Sequence, residues 1–219
     1  MAFTGFPPEA LDFWEGLEAD NSKTYWTANR DLYESSSRVP MLALTEALSD
    51  FGEFKVFRPH RDVRFSTDKR PYKTHIGAVT ETEGGTVYYV HLAAQGLFVA
   101  AGYHMMASDQ VERFRQAAAD EAGAELDGVL AAAEKARYEI GGSALKTVPR
   151  GYPKDHPRVR WLRHKGMTMS RQFPVARWLH TKAAVGRVRG AWDDAADLSK
   201  WLDRHVGPTT LPPERRRGG

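Results

Sequence analysis

The chain lacks cysteine entirely across its 219 residues. That absence excludes a disulfide framework, a cysteine nucleophile and a thiolate metal site, so any metal would need His, Asp or Glu ligands. The chain also lacks an apolar run of roughly 20 residues, the length that a membrane-spanning helix requires. Its first residues have neither the charged nor the apolar region of a signal peptide. We therefore expect a soluble cytoplasmic protein with no membrane partner.

Acidic residues are scarce in three segments, although the net charge of the whole chain is only +3. Residues 58–75 contain six Lys or Arg and two acids, residues 137–171 contain nine and two, and residues 207–219 contain three and one. The rest of the chain is therefore acidic. Two internal basic regions predict an electropositive surface, provided that the fold brings their side chains together. The sequence leaves open whether they meet.

The hydrophobic periodicity predicts an α+β protein. Helical spacing is found in the N-terminal third, over 108–136 with a division near Gly123, and after Pro174. Short extended runs separated by Pro or Gly are found at 54–58, 61–65, 75–81, 86–93, 97–104, 138–142, 145–148 and 167–172. Because their connections are short, we expect a single domain over 1–206 with a mainly antiparallel sheet packed against N-terminal, central and C-terminal helices. The Pro/Arg/Gly-rich tail, 207–219, is predicted to be disordered.

The segment from Arg61 to His75 has the highest density of polar groups, with five fixed positive charges and two carboxylates. Arginine and lysine supply charge and hydrogen-bond donors together, which favours the binding of an anion. The predicted ligand-binding residues are Arg61, Arg64, Ser66, Lys69, Lys73 and Asn29. The predicted catalytic residues are Asp62, which would orient an arginine, and His75 and His91, which would transfer protons.

Arg61 has an architectural alternative. If 57–65 is a strand, Arg61 lies on the apolar face with Phe57, and burial of an unpaired charge costs several kcal/mol. It therefore needs a bound anion, a route to solvent or an acidic partner. A pair with a buried Asp or Glu would make Arg61 a structural residue, and the sequence does not decide between these cases.

The histidines also have a structural alternative, since a core histidine is commonly hydrogen-bonded to a neighbour. His91 shares a strand face with Val87 and Tyr89. No group of His and Asp has the close spacing of a known zinc motif, so no metal site is predicted. Nothing in the sequence identifies a cofactor or an oligomeric state.

The second basic region could track the phosphates of a nucleic acid. Its cations are Lys146, Arg150, Lys154, Arg158, Arg160, Arg163 and Lys165, with Tyr152 and Trp161 between them. The alternative is a solvated helix face, because the cations share no single side of a helix. No zinc finger, helix-turn-helix or RNP-like pattern accompanies them.

Several motifs together resemble a family of conserved hypothetical proteins from bacteria and fungi, a domain of unknown function. The resemblance is carried by Asn21…Tyr25-Trp26…Asn29-Arg30…Tyr33, by Arg61-Asp-Val-Arg-Phe-Ser-x-Asp-Lys-x-Pro-Tyr-Lys-x-His75, by Tyr89-Val-His-Leu92 and by Leu145-Lys146…Asp155-His-Pro157. The chain departs from the family in having Tyr25-Trp26 where Trp-Phe is usual, and Ala101-Gly102 where Gly-Gly is usual. The resemblance implies no established reaction, cofactor or partner.

The leading hypothesis is therefore a protein that binds a small phosphate- or carboxylate-bearing ligand in an electropositive cleft. A histidine beside such a cleft suits acid/base or phosphoester chemistry, but binding without turnover fits equally well, so enzyme activity is left open. One alternative is a nucleic-acid-binding accessory protein. The other is a structural domain in which the central motif forms an internal ion-pair network.

Overall fold

The chain folds around one six-stranded antiparallel sheet with the strand order β1-β2-β3-β4-β6-β5. A computed structural model describes residues 2–62, 64, 67–80 and 85–212. The strands are β1 (Phe54–Val56), β2 (His75–Thr80), β3 (Val87–Ala93), β4 (Gly96–Tyr103), β5 (Glu139–Gly141) and β6 (Met167–Phe173). The helices are α1 (Glu9–Ala19), α2 (Lys23–Ala28), α3 (Arg30–Tyr33), α4 (Val39–Glu46), α5 (Ser108–Ala119), α6 (Ala122–Lys135), α7 (Val159–Leu162), α8 (Ala183–Asp194) and α9 (Ala196–His205). The predicted α+β class with a mainly antiparallel sheet is confirmed.

Short polar signals place the first helices. Ser22 begins α2, and its hydroxyl accepts a hydrogen bond from the Tyr25 N–H at 3.1 Å. A π-helical turn over Glu34–Arg38 precedes α4, which has Pro40 in its first turn. Pro40 has no N–H to donate to the carbonyl four residues earlier. The Val39 N–H donates to the Glu34 carbonyl, five residues earlier, as in a π-helix.

Contacts divide the chain into two units, of which the first comprises residues 1–81, 89–99 and 172–190. Its core is aromatic: Phe13 and Trp14 are fully buried, with ring centres 4.8 Å apart. Tyr33 packs edge-on against Trp14 at 5.9 Å. Helix α4 packs on β1 and β2. This unit contains the whole central motif.

The second unit comprises residues 82–88, 100–171 and 191–219. Helix α5 packs against α6, α7 and α9. Phe114 and Trp201 are fully buried and meet edge-on, with ring centres 6.0 Å apart. The Trp201 indole N–H donates to the Ala122 carbonyl at 3.0 Å, so this large ring is buried without an unpaired polar group.

The strand register in the first unit separates a buried face from a half-exposed one. β2 and β3 pair antiparallel with Gly77 opposite His91 and Val79 opposite Tyr89. The buried face carries Ile76, Ala78, Val90, Leu92, Leu97 and Val99. The half-exposed face carries His75, Val79, Tyr89, His91 and Phe98, and we call it the open face. The predicted placement of His91 beside Tyr89 is thereby confirmed.

Two predicted extended runs are not strands in the structure. At 61–65 the described residues Arg61, Asp62 and Arg64 lie outside any strand. At 145–148 the chain has only a neighbouring bridge between Ala144 and His164. The first run does alternate apolar and polar residues. However, the Arg61 N–H donates to the carbonyl of Pro71 and not to a neighbouring strand.

The first residues of the segment predicted to be disordered contact α5. Within the second unit, the Asp109 carboxylate of α5 accepts hydrogen bonds from the Thr209 hydroxyl at 2.7 Å and the Thr210 N–H at 2.8 Å. The Gln110 side chain donates to the Gly207 carbonyl at 2.7 Å. These bonds place residues 207–210 against α5. The part of the predicted tail after residue 212 lies outside the described residues.

Candidate functional site

The described residues of the central motif lie between β1 and β2, and we call residues 58–62, 64 and 67–73 the basic loop. Its two limbs are joined by backbone hydrogen bonds from Arg61 N to Pro71 O at 2.9 Å and from Lys73 N to Pro59 O at 2.8 Å. His60 and Tyr72 form an isolated antiparallel bridge between these bonds. Proline cannot donate a backbone hydrogen bond but still accepts one, so the limbs pair locally without extending the strands.

Asn21 and Trp26 fix one limb of the basic loop to the N-terminal helices. The Asn21 carbonyl oxygen accepts from the Tyr72 N–H at 3.0 Å, and its amide donates to the Tyr72 carbonyl at 3.2 Å. The Tyr72 ring stacks on Trp26, with centres 4.6 Å apart and planes 12° apart. Tyr72 and Trp26 are both buried. The aromatic residues of the motif are therefore part of the core.

The carboxylates of the basic loop are paired with arginines. Asp62 holds Arg64 through two hydrogen bonds, Nε to Oδ1 at 2.9 Å and Nη2 to Oδ2 at 2.6 Å. Asp68 forms the same kind of bidentate pair with Arg70, with hydrogen bonds of 3.0 and 2.8 Å. The Asp68 carboxylate also contacts the Arg61 guanidinium. The hydrogen bonds from Arg70 hold the pKa of the Asp68 carboxyl well below its usual range. Arg61 therefore has an acidic partner, but Asp68 is half-exposed and is not the buried carboxylate of the architectural alternative.

Lys73 differs from these arginines in its surroundings. Its ammonium donates to the Arg58 carbonyl at 3.1 Å and lies 4.8 Å from the centre of the Phe57 ring. Burial, and then the charges of Arg58 and Arg61, lower the pKa of Lys73. Within the described part of the chain, the ammonium of Lys73 has no carboxylate partner.

The open face brings the two predicted histidines together. The rings of His75 and His91 are 4.6 Å apart, although these residues belong to different strands. His91 Nδ1 lies 3.0 Å from the Tyr89 hydroxyl, and the His91 ring stacks on Phe98 at 5.0 Å. Gly77 leaves the space for this arrangement, because a Cβ there would lie 2.9 Å from the Tyr89 hydroxyl oxygen. The result is a half-exposed pair of imidazoles between aromatic rings.

Both imidazoles are neutral at physiological pH. Burial, followed by the charges of Lys73 and Arg61, lowers the pKa of His75 from its usual 6.5. Burial, followed by the charge of His75, lowers the pKa of His91 to about 3. Burial also raises the pKa of Tyr89 to about 12, so its hydroxyl keeps its proton. Neutral imidazoles can accept a proton or a hydrogen bond from a ligand.

The predicted site residues are therefore only partly assembled. One group lies on and beside the open face and consists of Lys73, Arg61, His75 and His91. Each of these residues affects the pKa of another member of the group, or has its own pKa affected by one. Asp62 and Arg64 are paired with each other in an exposed position. Lys69 is exposed, and Ser66 lies outside the described residues.

Asn29 is turned toward its own helix. Its amide donates to the Tyr25 carbonyl at 2.9 Å, at the junction of α2 and α3. Asn29 therefore makes a local contact within the helical segment, whereas the Asn21 side chain reaches Tyr72 in the basic loop.

Neither a metal centre nor a membrane span is found in the part of the chain that the structure describes. There, no group of three or more His, Asp or Glu side chains is arranged to hold a metal ion. No helix among the same residues is long and apolar enough to cross a bilayer.

Comparison with protein-family models shows which family the chain belongs to. A model described as a conserved hypothetical protein, DUF2461, matches residues 9–201. The chain belongs to the DUF2461 family. In this DUF2461 member the matched range includes the basic loop, the open face and both units' helices up to α9. Comparison with curated proteins and with solved structures found no match.

Sequence reasoning missed the roles of two arginines in this DUF2461 member, Arg58 and Arg70, whereas it placed Tyr89 on one strand face with His91. Arg70 shares Asp68 with Arg61, and Arg58 acts on the pKa of Lys73. Tyr89 is hydrogen-bonded to His91. The alternation of Tyr89 and His91 was a sufficient signal for the last contact. The roles of the two arginines depend on how the loop folds back, which no local pattern encodes.

Proposed function

We propose that this protein binds a small phosphate- or carboxylate-bearing ligand at the open face, next to Lys73 and His75. The observation that carries the proposal is the effect of Lys73 and Arg61 on His75. Both cations lower the pKa of this imidazole in addition to its burial. Such an effect means that the electrostatic potential at the His75 ring is positive, and an anion is attracted to a positive potential.

The ion pairs of the basic loop leave positive charge for a ligand. Asp68 is shared by two guanidiniums, those of Arg61 and Arg70, so this trio keeps a net charge of +1. Lys73 adds a second charge, and its hydrogen bond goes to an uncharged carbonyl. Two unit charges about 7 Å apart repel by roughly 2 kcal/mol at an effective dielectric near 20, and a bound anion relieves such repulsion.

The same group of residues supports acid/base chemistry on a bound ligand. His75 is the proposed proton acceptor, because its imidazole is neutral and half-exposed. His91 and Tyr89 would orient it from the neighbouring strand. Phosphoester hydrolysis is one reaction for which an anion site beside a neutral imidazole is suited, and ligand binding without turnover uses the same contacts.

A structural role for part of the motif is the second candidate, and a specific observation favours it. Arg61, Arg64 and Arg70 all contact carboxylates of the same loop. We therefore assign Arg64 and Asp62 to loop structure and keep Lys73, Arg61 and His75 for the ligand. Cytoplasmic location remains part of this proposal, as the setting in which small phosphorylated ligands are abundant.

Titration of the protein with inorganic phosphate and with acetate, followed by NMR of the His75 ring, tests the proposal. We expect saturable shifts of the His75 resonances in the wild-type protein, and a loss of affinity of about tenfold in Lys73→Met, because a charged hydrogen-bond donor is removed. Lys69→Met is the matched control, since Lys69 belongs to the same loop but does not act on the pKa of His75. Unchanged His75 resonances with both anions, or equal losses in the two variants, would contradict the proposal.

A further inference from the structure

A cavity of about 750 Å³ lies in the second unit, and none of the residues that line it takes part in the proposed function. One wall is α5, from Ser108 to Gln116. The others are Met105 and Met106 after β4, Ser143, the segment 150–152, and Lys165 before β6. Its volume is in the range of sites that hold small organic ligands, roughly 300–1,000 Å³. Neither the family description nor the proposed function accounts for this cavity.

Arg115 on α5 lines this cavity, and its guanidinium is only partly satisfied by hydrogen bonds. Its Nε is fixed by a hydrogen bond to the Leu162 carbonyl at 2.9 Å. Its Nη2 is buried and has no acceptor among the described residues. The Arg115 side chain is half-buried, and a negative charge in the cavity would offset the cost of burying its guanidinium.

The charged residues around Arg115 are mostly of the same sign. Arg150 and Lys165 also line the cavity, and Glu112 is its only acidic lining residue in the described chain, so the lining has a net charge of +2. Lys165 is held in place through its backbone, whose N–H donates to the Ser143 carbonyl at 2.6 Å and whose carbonyl accepts from the Met106 N–H at 2.9 Å. The cavity is therefore matched to a dianion.

Apolar and hydroxyl groups complete the lining. Met105 is 77% exposed, the most exposed large hydrophobic side chain of the described residues, and it borders the cavity together with Met106 and Val111. Exposed methionine adapts its shape to an organic group more readily than a branched side chain does. The Tyr152 and Ser108 side chains add hydroxyl groups that can donate to a phosphate oxygen.

We propose that this cavity binds a small phosphate monoester. The phosphate, which carries a charge of about −1.5 to −2 at pH 7, receives hydrogen bonds from Arg115 and is balanced by Arg150 and Lys165. The organic part of the ester packs against Met105, Met106 and Val111. This site is separate from the open face and does not depend on the proposed function, because none of its residues belongs to the first unit.

Isothermal titration calorimetry of the full chain with phenyl phosphate, inorganic phosphate and phenol tests this inference. We expect saturable binding of phenyl phosphate, weaker binding of inorganic phosphate and none of phenol. Arg150→Met and Lys165→Met should each weaken phenyl phosphate binding about tenfold, because each removes a charged partner of the phosphate. Both side chains are outside the core, so the variants should keep the wild-type melting temperature.

Two controls separate the cavity from other basic surfaces. Lys154→Met removes a charge from the same basic region without touching the cavity, and Lys73→Met removes one from the open face. Neither should change the affinity for phenyl phosphate. The inference is overturned if phenyl phosphate shows no saturable binding in the millimolar range, or if phenol binds equally well. The inference is also overturned if Lys154→Met and Lys165→Met lose the same affinity for phenyl phosphate, or if only Lys73→Met loses affinity. A tighter-binding oligonucleotide that displaces phenyl phosphate would overturn it as well.

Discussion

At the scale of single residues, two asparagines illustrate how differently similar positions are used. Asn21 exchanges two hydrogen bonds with the backbone of Tyr72, 51 residues away. Asn29 donates one hydrogen bond to the Tyr25 carbonyl, which already accepts from the Asn29 N–H of the helix. Of these two asparagines, only Asn21 forms hydrogen bonds with backbone groups of the basic loop.

Replacing Asn21 should therefore destabilise the protein more than replacing Asn29. Asn21→Ala leaves the Tyr72 N–H and carbonyl without their partner, and we expect the free energy of unfolding to fall by about 1–3 kcal/mol. Asn29→Ala leaves its carbonyl partner satisfied and should cost less. Urea denaturation of both variants measures the difference. Equal losses would show that Asn21 does not hold the basic loop.

A second prediction at this scale concerns pH. The pKa of His91 in the folded protein is about 3, whereas its usual value is 6.5. Between these values the unfolded chain binds a proton that the folded protein does not, so His91 favours folding fully above pH 6.5 and progressively less as the pH falls toward 3. Replacement of His91 by Phe keeps a ring against Phe98 and removes the titration. Denaturation curves should lose less stability on acidification in His91→Phe than in the wild type, and parallel losses would contradict the assigned pKa.

At the scale of elements, the contact between β2 and β3 depends on a glycine. A Cβ at Gly77 would lie 2.9 Å from the Tyr89 hydroxyl oxygen and 3.3 Å from the His91 Cβ. We expect Gly77→Ala to displace the Tyr89 ring, break its hydrogen bond to His91 and lower the free energy of unfolding by about 1–3 kcal/mol. Denaturation and the His91 ring resonances measure both effects.

Gly128 in α6 is the matched control for this substitution. No heavy atom lies within 4 Å of a Cβ built there. Alanine is the better helix former, so Gly128→Ala should raise the free energy of unfolding by up to about 1 kcal/mol. If Gly77→Ala were also stabilising, the close packing of Tyr89 on β2 would be wrong.

The strands also show how much of this structure could be predicted from the sequence. The runs predicted at 75–81, 86–93 and 97–104 match β2, β3 and β4 within a residue at each end. Their alternation and glycine punctuation are local signals, which the sequence contains. The run at 61–65 has the same alternation, but the Arg61 N–H donates to the Pro71 carbonyl across the loop, and Asn21 holds Tyr72 on that opposite limb. Contacts across so many residues cannot be inferred from local periodicity.

The candidate site was predictable to the same extent. Lys73 and Arg61, which create the positive potential, and His75, on which it acts, were identified from the density of polar residues in one segment. An acidic partner was one of three open alternatives for Arg61, and its pairing with Asp68 is seen only in the fold. The closeness of His75 and His91 depends on the strand register, which sequence alone does not specify.

At the scale of the whole molecule, a net charge of +3 combines basic segments with an acidic remainder. In the second basic region Arg158 is held by Asp127 at 2.6 Å, and Arg160 lies near Glu134 at 3.4 Å and over the Trp161 ring. These contacts neutralise charges that a nucleic acid would need. They favour a solvated and locally paired surface over an extended phosphate-binding one.

We therefore expect only weak, sequence-independent binding to DNA and RNA. Fluorescence polarisation at two salt concentrations should detect binding at low salt that disappears at physiological salt, because few phosphates are contacted. Tight binding that persists at physiological salt, with a preference for one nucleic acid, would favour the accessory-protein alternative instead.

The most direct test of the central claim is the pKa of His75, measured by NMR with and without saturating inorganic phosphate. The account predicts that His75 titrates below 6.5 in the free protein, because burial and the charges of Lys73 and Arg61 oppose its protonation. A bound anion should raise this pKa, since it favours the imidazolium. A His75 pKa that phosphate leaves unchanged would contradict an anion site at the open face.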